Sequence, residues 1–188
     1  FAVANRPEVV SLAGGMPNIT DLPLGQIGAS FDELVRSHGV QAMQYGSGQG
    51  ELFMREKIVE IMAEEQVHAN PDDVVVTVGS QQALDLVTRI FVDPGDVVLC
   101  EAPSYVGAMG TFNASQAEIH HVGMDADGLL PDALREAVVT LRAAGKRVKF
   151  LYMIPNYNNP TGITQTVARR RALLDVAREV DLLVVEDN

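Results

Sequence analysis

The 188-residue chain holds one cysteine, Cys100, and only three lysines, Lys57, Lys146 and Lys149. A single thiol excludes an internal disulfide, which suits a reducing, cytoplasmic setting. Cys100 closes the apolar run "VVLC", so it reads as a small buried hydrophobe and not as a nucleophile. No apolar run approaches membrane-spanning length and no basic-then-apolar leader is seen, so no membrane partner is expected. Positive charge is scarce: the formal net charge is −11. Nucleic acid would be repelled on average and is not an expected partner. The one basic run, Arg169 to Arg171, lies in a helical pattern and reads as a solvated helix face. The sequence opens at Phe1 without methionine and stops at Asn188 in mid-pattern, so both ends are expected to be cut.

What is present is an alternation of elements. Residues 30–38 and 51–66 read as helices, the first ended by Gly39, with the glycine loop "QYGSGQG" between them. From residue 70 the pattern is regular. "DVVVTVG", "VVLCE", "AEIHHVGM", "VKFLYMI" and "DLLVVEDN" read as strands. Helical stretches separate them, opening at Ser80, Ser104, Leu130 and Thr164, and "DADG" reads as a turn. Strands alternating with helices predict an α/β fold with a largely parallel sheet. Ligands of such sheets sit beyond the carboxyl ends of the strands, so the strand-to-helix loops are where chemistry is sought.

Those loops are polar. In "VGSQQA", Gly79 turns the chain and Ser80 and Gln81 open a helix whose first N–H groups attract an anion such as phosphate. The same residues also suit an ordinary serine cap. "CEAPSY" places Tyr105 where its ring could stack on a flat ligand or simply pack in the loop. "VVEDN" ends an apolar strand on Glu186 and Asp187, which strand alternation sends to opposite faces. In "PNYNNPTG", Pro160 pushes Asn159 toward an extended backbone and so fixes where its amide points. Asn156 and Asn158 are expected only to satisfy the loop's backbone. Each loop alone is ordinary. Together they supply a phosphate cradle, a stacking ring, an amide donor and a carboxylate, the set that pyridoxal 5′-phosphate needs.

The same stretches resemble the fold-type I, class I/II aminotransferases, and within them the aminoadipate/kynurenine-type subgroup. "SLAGGMPN" (11–18), "MQYGSGQG" (43–50), "TVGSQQAL" (77–84), "CEAPSYVG" (100–107), "IPNYNNPTG" (154–162) and "VVEDN" (184–188) follow in that family's order. The resemblance implies a three-layer, mostly parallel sheet of the family's large domain, in its amino-terminal half over 42–188, with residues 1–41 as an arm and first helix. It implies that Gly79, Ser80 and Gln81 bind the cofactor phosphate, that Tyr105 stacks on the pyridine ring and that Asn159 donates to its phenolate oxygen. Asp187, not Glu186, would pair with the pyridinium nitrogen. Tyr45 would reach a neighbouring subunit's site, which implies a homodimer, and Gly15 would lie beside the substrate. The reaction implied is amino transfer between an amino acid and a 2-oxo acid.

The sequence departs from that pattern at its centre. The family's Schiff-base lysine follows the aspartate strand, and none of the three lysines here does. The tyrosine expected three residues after Asp187 and the family's anion-binding arginines are also absent. The chain therefore reads as an amino-terminal half, expected to be inactive alone, with Pro-Tyr and then Ser-x-x-Lys beyond Asn188. An effector domain of an aminotransferase-like transcription regulator, or a lyase or synthase of the same fold, shares these loops. A nicotinamide site on "YGSGQG" fails on glycine spacing. Nor do His120 and His121, adjacent on one strand, make a metal hydrolase.

Overall fold

The computed structural model describes Arg6, Glu8, Val9 and residues 19–188. The described residues belong to two compact units, a smaller one reaching to Thr77 and a larger one that runs from Val78 to Asn188 and includes Arg6, Glu8 and Val9.

The smaller unit carries α1 (Leu24–Ala42), α2 (Leu52–Glu64) and a short 3-10 turn at Pro71–Asp73. Helix α1 extends beyond the predicted 30–38 because Leu24, Ile27, Phe31 and Leu34 continue the apolar period toward the amino end. Gly39 does not end it. The backbone breaks at His38 and the helix resumes to Ala42. Gly39 does not take the left-handed conformation that would stop a helix.

The predicted strand "DVVVTVG" does not form, and the reason is local. The Val76 N–H donates to the Gln49 carbonyl at 2.9 Å, and the Gln49 amide donates to the carbonyls of Asp72 and Val74. The backbone groups a ladder would use are spent on the glycine loop. Gly50 makes the contact possible: its φ is +99°, and a Cβ there would stand 2.5 Å from the Val76 side chain.

The larger unit is a three-layer α/β sandwich. Four parallel strands, β1 (Val97–Glu101), β2 (Glu118–Val122), β5 (Val148–Met153) and β6 (Leu183–Glu186), pair in the order β2-β1-β5-β6. The predicted "DADG" turn is the tip of a small antiparallel hairpin, β3 (Met124–Asp125) with β4 (Gly128–Leu129). Alternate residues of the central strands serve opposite layers. Val97, Leu99, Leu151 and Met153 pack against α5 (Pro131–Ala143) and α6 (Val167–Glu179) through Leu134, Val138, Leu173 and Val176. Val98, Cys100, Phe150 and Tyr152 pack against α3 (Gly79–Phe91) and α4 (Val106–Ala114) through Leu84, Ala108 and Phe112. Every residue of β1 is buried, as its unbroken apolar run predicts for a strand covered on both faces. Cys100 is buried, and desolvation, then the Glu101 charge beside it, pushes its thiol up to about 12.

The amino ends of the strands are tied by charge. Asp96, wholly buried, meets Arg147 at 2.6 Å and Lys149 at 3.5 Å. Arg169 and Arg170 are not a solvated face, contrary to the sequence pattern. Arg169 grips the Asp125 carboxylate and the carbonyls of Gly128 and Leu129 in the hairpin. Arg170 donates to the carbonyls of Pro155 and Gln165 and to the Asn156 amide oxygen.

Candidate active site

Neighbouring strands of a sheet lie about 4.8 Å apart. The order β1-β5-β6 therefore sets the connections after Glu101, Met153 and Glu186 side by side on one edge.

At the end of β6, Asp187 is half-buried and Glu186 exposed, as strand alternation requires. The Asp187 N–H donates to the Met153 carbonyl at 2.9 Å, which fixes the backbone. Its Oδ2 accepts a hydrogen bond from the Tyr152 hydroxyl at 2.6 Å. Tyr152 lies wholly inside the sheet layer, its ring edge-on to Phe112 at 5.6 Å. Burial, and then the bond to Asp187, raises the Tyr152 hydroxyl well above the ordinary phenol range, so it stays a donor.

Across the β5–α6 loop, the Asn159 amide is half-buried and meets no hydrogen-bond partner among the described residues. The Asn159–Pro160 bond is cis, as is Ala102–Pro103. Asn158 does more than satisfy backbone. It is 1% exposed, donates through Nδ2 to Glu101 Oε2 at 2.7 Å, and accepts from the Thr161 N–H and hydroxyl. Asn156 joins this edge to β6 through the Asn188 side chain.

Tyr105 closes the β1–α4 connection, half-buried against the Phe112 cluster. Its ring lies over Gly107: a Cβ at that position would stand 2.4 Å from Tyr105 Cζ. Glycine at 107 is what leaves the ring its place.

Helix α3 opens at Gly79, whose φ of +74° turns the chain into the first turn, and Ser80 is exposed there. The Gln81 amide donates to Thr111 Oγ1 at 2.5 Å, so its side chain ties α3 to α4.

Tyr45 belongs to the smaller unit and is fully exposed, while Gly15 and the rest of the 11–18 stretch lie outside the described residues. Neither lysine of the larger unit reaches the carboxyl edge of the sheet. Lys146 and Lys149 flank the opening of β5 and pair with Glu118 and Asp96; Lys57 pairs with Glu60 on α2.

Four residues of this edge escape a reading of the loops alone: Glu101, Tyr152, Asn158 and Gln165. Glu101 and Tyr152 stand inside apolar runs, "VVLCE" and "VKFLYMI". A lone polar group in a buried strand is the signal that could have found them, because it must meet a partner.

The mostly parallel sheet between two helix layers matches part of the large domain of the pyridoxal-phosphate-dependent transferases. Within that class the chain belongs to the class I and II aminotransferases, whose family pattern matches residues 20–188. It is 39% identical to aromatic-amino-acid aminotransferase 1 of Thermococcus litoralis over 96% of this chain and 44% of that protein. It is 36% identical to the 2-aminoadipate transaminase of Thermus thermophilus over 99% of this chain and 44% of the relative. The crystal structure of Pyrococcus horikoshii kynurenine aminotransferase superposes with a TM-score of 0.89 at 34% identity, covering 99% of this chain and 46% of that one. The chain thus spans less than half the length of these relatives.

Proposed function

We propose that the full-length protein is an aminotransferase that uses pyridoxal 5′-phosphate to move an amino group between an amino acid and a 2-oxo acid. The Asp187 carboxylate, held by a buried tyrosine hydroxyl at 2.6 Å on the same edge as a half-buried asparagine amide with no partner among the described residues, carries this reading. The residues present fit the cofactor. Among the described residues the Asn159 amide is an uncommitted donor, and the Ser104 hydroxyl beside Tyr105 is buried without a partner. Both lie in connections on the carboxyl edge of the sheet. The donor set has the chemistry of a charged pyridine bearing a phenolate and a phosphate.

When bound, the cofactor supplies the electron sink for carbanion chemistry. The chain's residues supply the rest. Asp187 would accept a hydrogen bond from the ring nitrogen and favour its protonated form, while Tyr152 holds the carboxylate in place. Asn159 donates to the phenolate oxygen. Tyr105 would stack on the ring. The first turn of α3, with Gly79, Ser80 and Gln81, receives the phosphate through backbone N–H groups and the serine hydroxyl. In this reading residues 42–188 are the amino-terminal half of the cofactor domain and residues 1–41 an arm with the first helix. Tyr45 serves the site of a second subunit in a cytoplasmic homodimer, and Gly15 lies beside the substrate.

The test is spectroscopic. The full-length protein is expected to take up pyridoxal phosphate, and its visible band is expected to shift on adding amino acid donors and return with a 2-oxo acid. A band that no amino acid moves would overturn the reading. The 188-residue chain alone is expected to show no turnover, and measurable turnover by it would overturn the assignment of the missing lysine.

A further inference from the structure

The mechanism above leaves unused a wholly buried carboxyl group, Glu101, at the carboxyl end of β1. Its Oε2 accepts from the Ile154 N–H at 2.8 Å and from Asn158 Nδ2 at 2.7 Å, and its Oε1 accepts from Gln165 Nε2 at 2.8 Å. All these donors come from the β5–α6 connection. They lie at its start, middle and end.

A carboxyl group so placed is costly to bury. It persists in a fold only where its hydrogen bonds are satisfied, and losing one partner leaves the group stranded. The partners here bear on function. Asn158 has every polar group engaged: Nδ2 on Glu101, Oδ1 on Thr161, its N–H on the Ile163 carbonyl at 2.8 Å, and its carbonyl on the Gly162 N–H at 2.6 Å. The residue that follows it is Asn159. With both the backbone and the side chain of Asn158 locked, the position of the Asn159 Cα is set. Glu101 is also four residues before Tyr105 on the same connection. One carboxyl group therefore fixes the Asn159 loop against the strand that delivers Tyr105.

The β3–β4 hairpin contributes to this clamp. Gly128 has φ +104°, and a Cβ there would stand 2.5 Å from Gln165 Cγ. The glycine leaves the space that the Gln165 side chain crosses to reach Glu101. Arg169 holds the hairpin in that position by gripping the Gly128 and Leu129 carbonyls at 2.9 Å each.

We infer that Glu101 is a positioning residue for the cofactor contact of Asn159, acting through Asn158 and Gln165. This rests on the function proposed above, and the experiment separates the two. In cofactor-free full-length protein, amide hydrogen exchange is measured at Asn158 and Gly162 for the parent, Glu101→Leu and Asn158→Ala. Either substitution is expected to speed exchange at the surviving loop amides by about tenfold relative to the β5 amides. Asn158→Ala removes the bond to Glu101 together with the Thr161 bonds to Oδ1, and keeps the test alive if the Glu101 variant does not fold. Unchanged exchange in the folded variants overturns the inference, whatever the protein binds.

The second arm is a double-mutant cycle on the pH midpoint of the visible band of the loaded protein, pairing Asn159→Ala with Glu101→Leu, or with Asn158→Ala in its place. A positioning role requires that the first-site change shift the midpoint in the direction of Asn159→Ala, and that the double variant shift little further. Fully additive shifts overturn the positioning role even if exchange is faster. A parent that takes up no pyridoxal phosphate overturns the functional reading, and the exchange data then decide the clamp alone.

Discussion

Replacing Tyr152 by phenylalanine tests the link between the sheet core and the Asp187 carboxylate. The substituted ring would keep the edge-on contact with Phe112 at 5.6 Å, so packing is nearly conserved and the change isolates one hydroxyl. That hydroxyl donates to Asp187 Oδ2 at 2.6 Å. A hydrogen bond to a charged group contributes about 1.5–3 kcal/mol, and leaving its acceptor without a partner is the larger part of the cost. Asp187 is half-buried, so water replaces part of the bond. The expected loss for Tyr152→Phe is therefore about 1–2 kcal/mol of stability, near the low end of that range. Urea titration of the full-length protein would read it as a lower midpoint at unchanged slope. If Asp187 also meets the cofactor's ring nitrogen, losing its holder costs binding too. About 1 kcal/mol there is roughly fivefold in the dissociation constant for pyridoxal phosphate. In an Asp187→Asn background the same tyrosine substitution should cost markedly less, because the charged partner has gone. Equal stability and equal cofactor affinity for parent and Tyr152→Phe would refute the reasoning.

Two further outcomes follow from the same edge. Gly107→Ala adds a methyl 2.4 Å from Tyr105 Cζ, so the ring must swing away. Alanine favours the helix by up to about 1 kcal/mol over glycine, so stability should hold or rise while cofactor affinity falls; affinity at or above the parent's would refute the claim that glycine reserves the ring's place. The second concerns pH. Burial raises the Glu101 carboxyl above its ordinary range against the opposing pull of the Ile154, Asn158 and Gln165 donors. The folded state then binds this proton more tightly than the unfolded one. The contribution of Glu101 is full below the unfolded value of about 4.3 and is lost as pH rises through the folded value. Glu101→Gln keeps an acceptor for Ile154 and Asn158 and removes the titration. Its stability relative to the parent should improve as pH rises above about 4.3 in urea titrations, and an offset that is flat or runs the other way would contradict the sign.

The larger unit was legible in the sequence because its elements are set by period and by burial on both faces. Unbroken apolar runs at Val97–Cys100 and Phe150–Ile154 can only be central strands once helices are predicted on either side. "DVVVTVG" carries the same run and forms no strand, because pairing depends on a partner and Gln49 reaches its backbone first. Arginine placement was equally opaque. Arg169 and Arg170 sit at positions that look solvated, and what buries them is the hairpin and the loop that pack over α6. The site divides along the same line. Tyr105, Asn159 and Asp187 sit in loops, where polar residues announce themselves, and two of those loops now have a visible physical support. Glu101 and Tyr152, which provide it, are single letters in apolar strands. Their partners lie 53 and 35 residues away in sequence, beyond any local pattern.

The two outer strands of the sheet differ in what they would present to another chain. β2 shows Glu118, His120 and His121 along its length, and Lys146 pairs with Glu118 at its start. Charge and imidazole at an edge discourage a second strand from adding to it. β6 offers Leu183, Val184 and Val185 before its first charged residue, with Leu183 54% exposed. Among the described residues it has a neighbour on one side only. Self-association of the 188-residue chain in isolation would therefore be directional: the sheet would grow from β6, and charge placed at Leu183 would be the change that keeps the chain in solution.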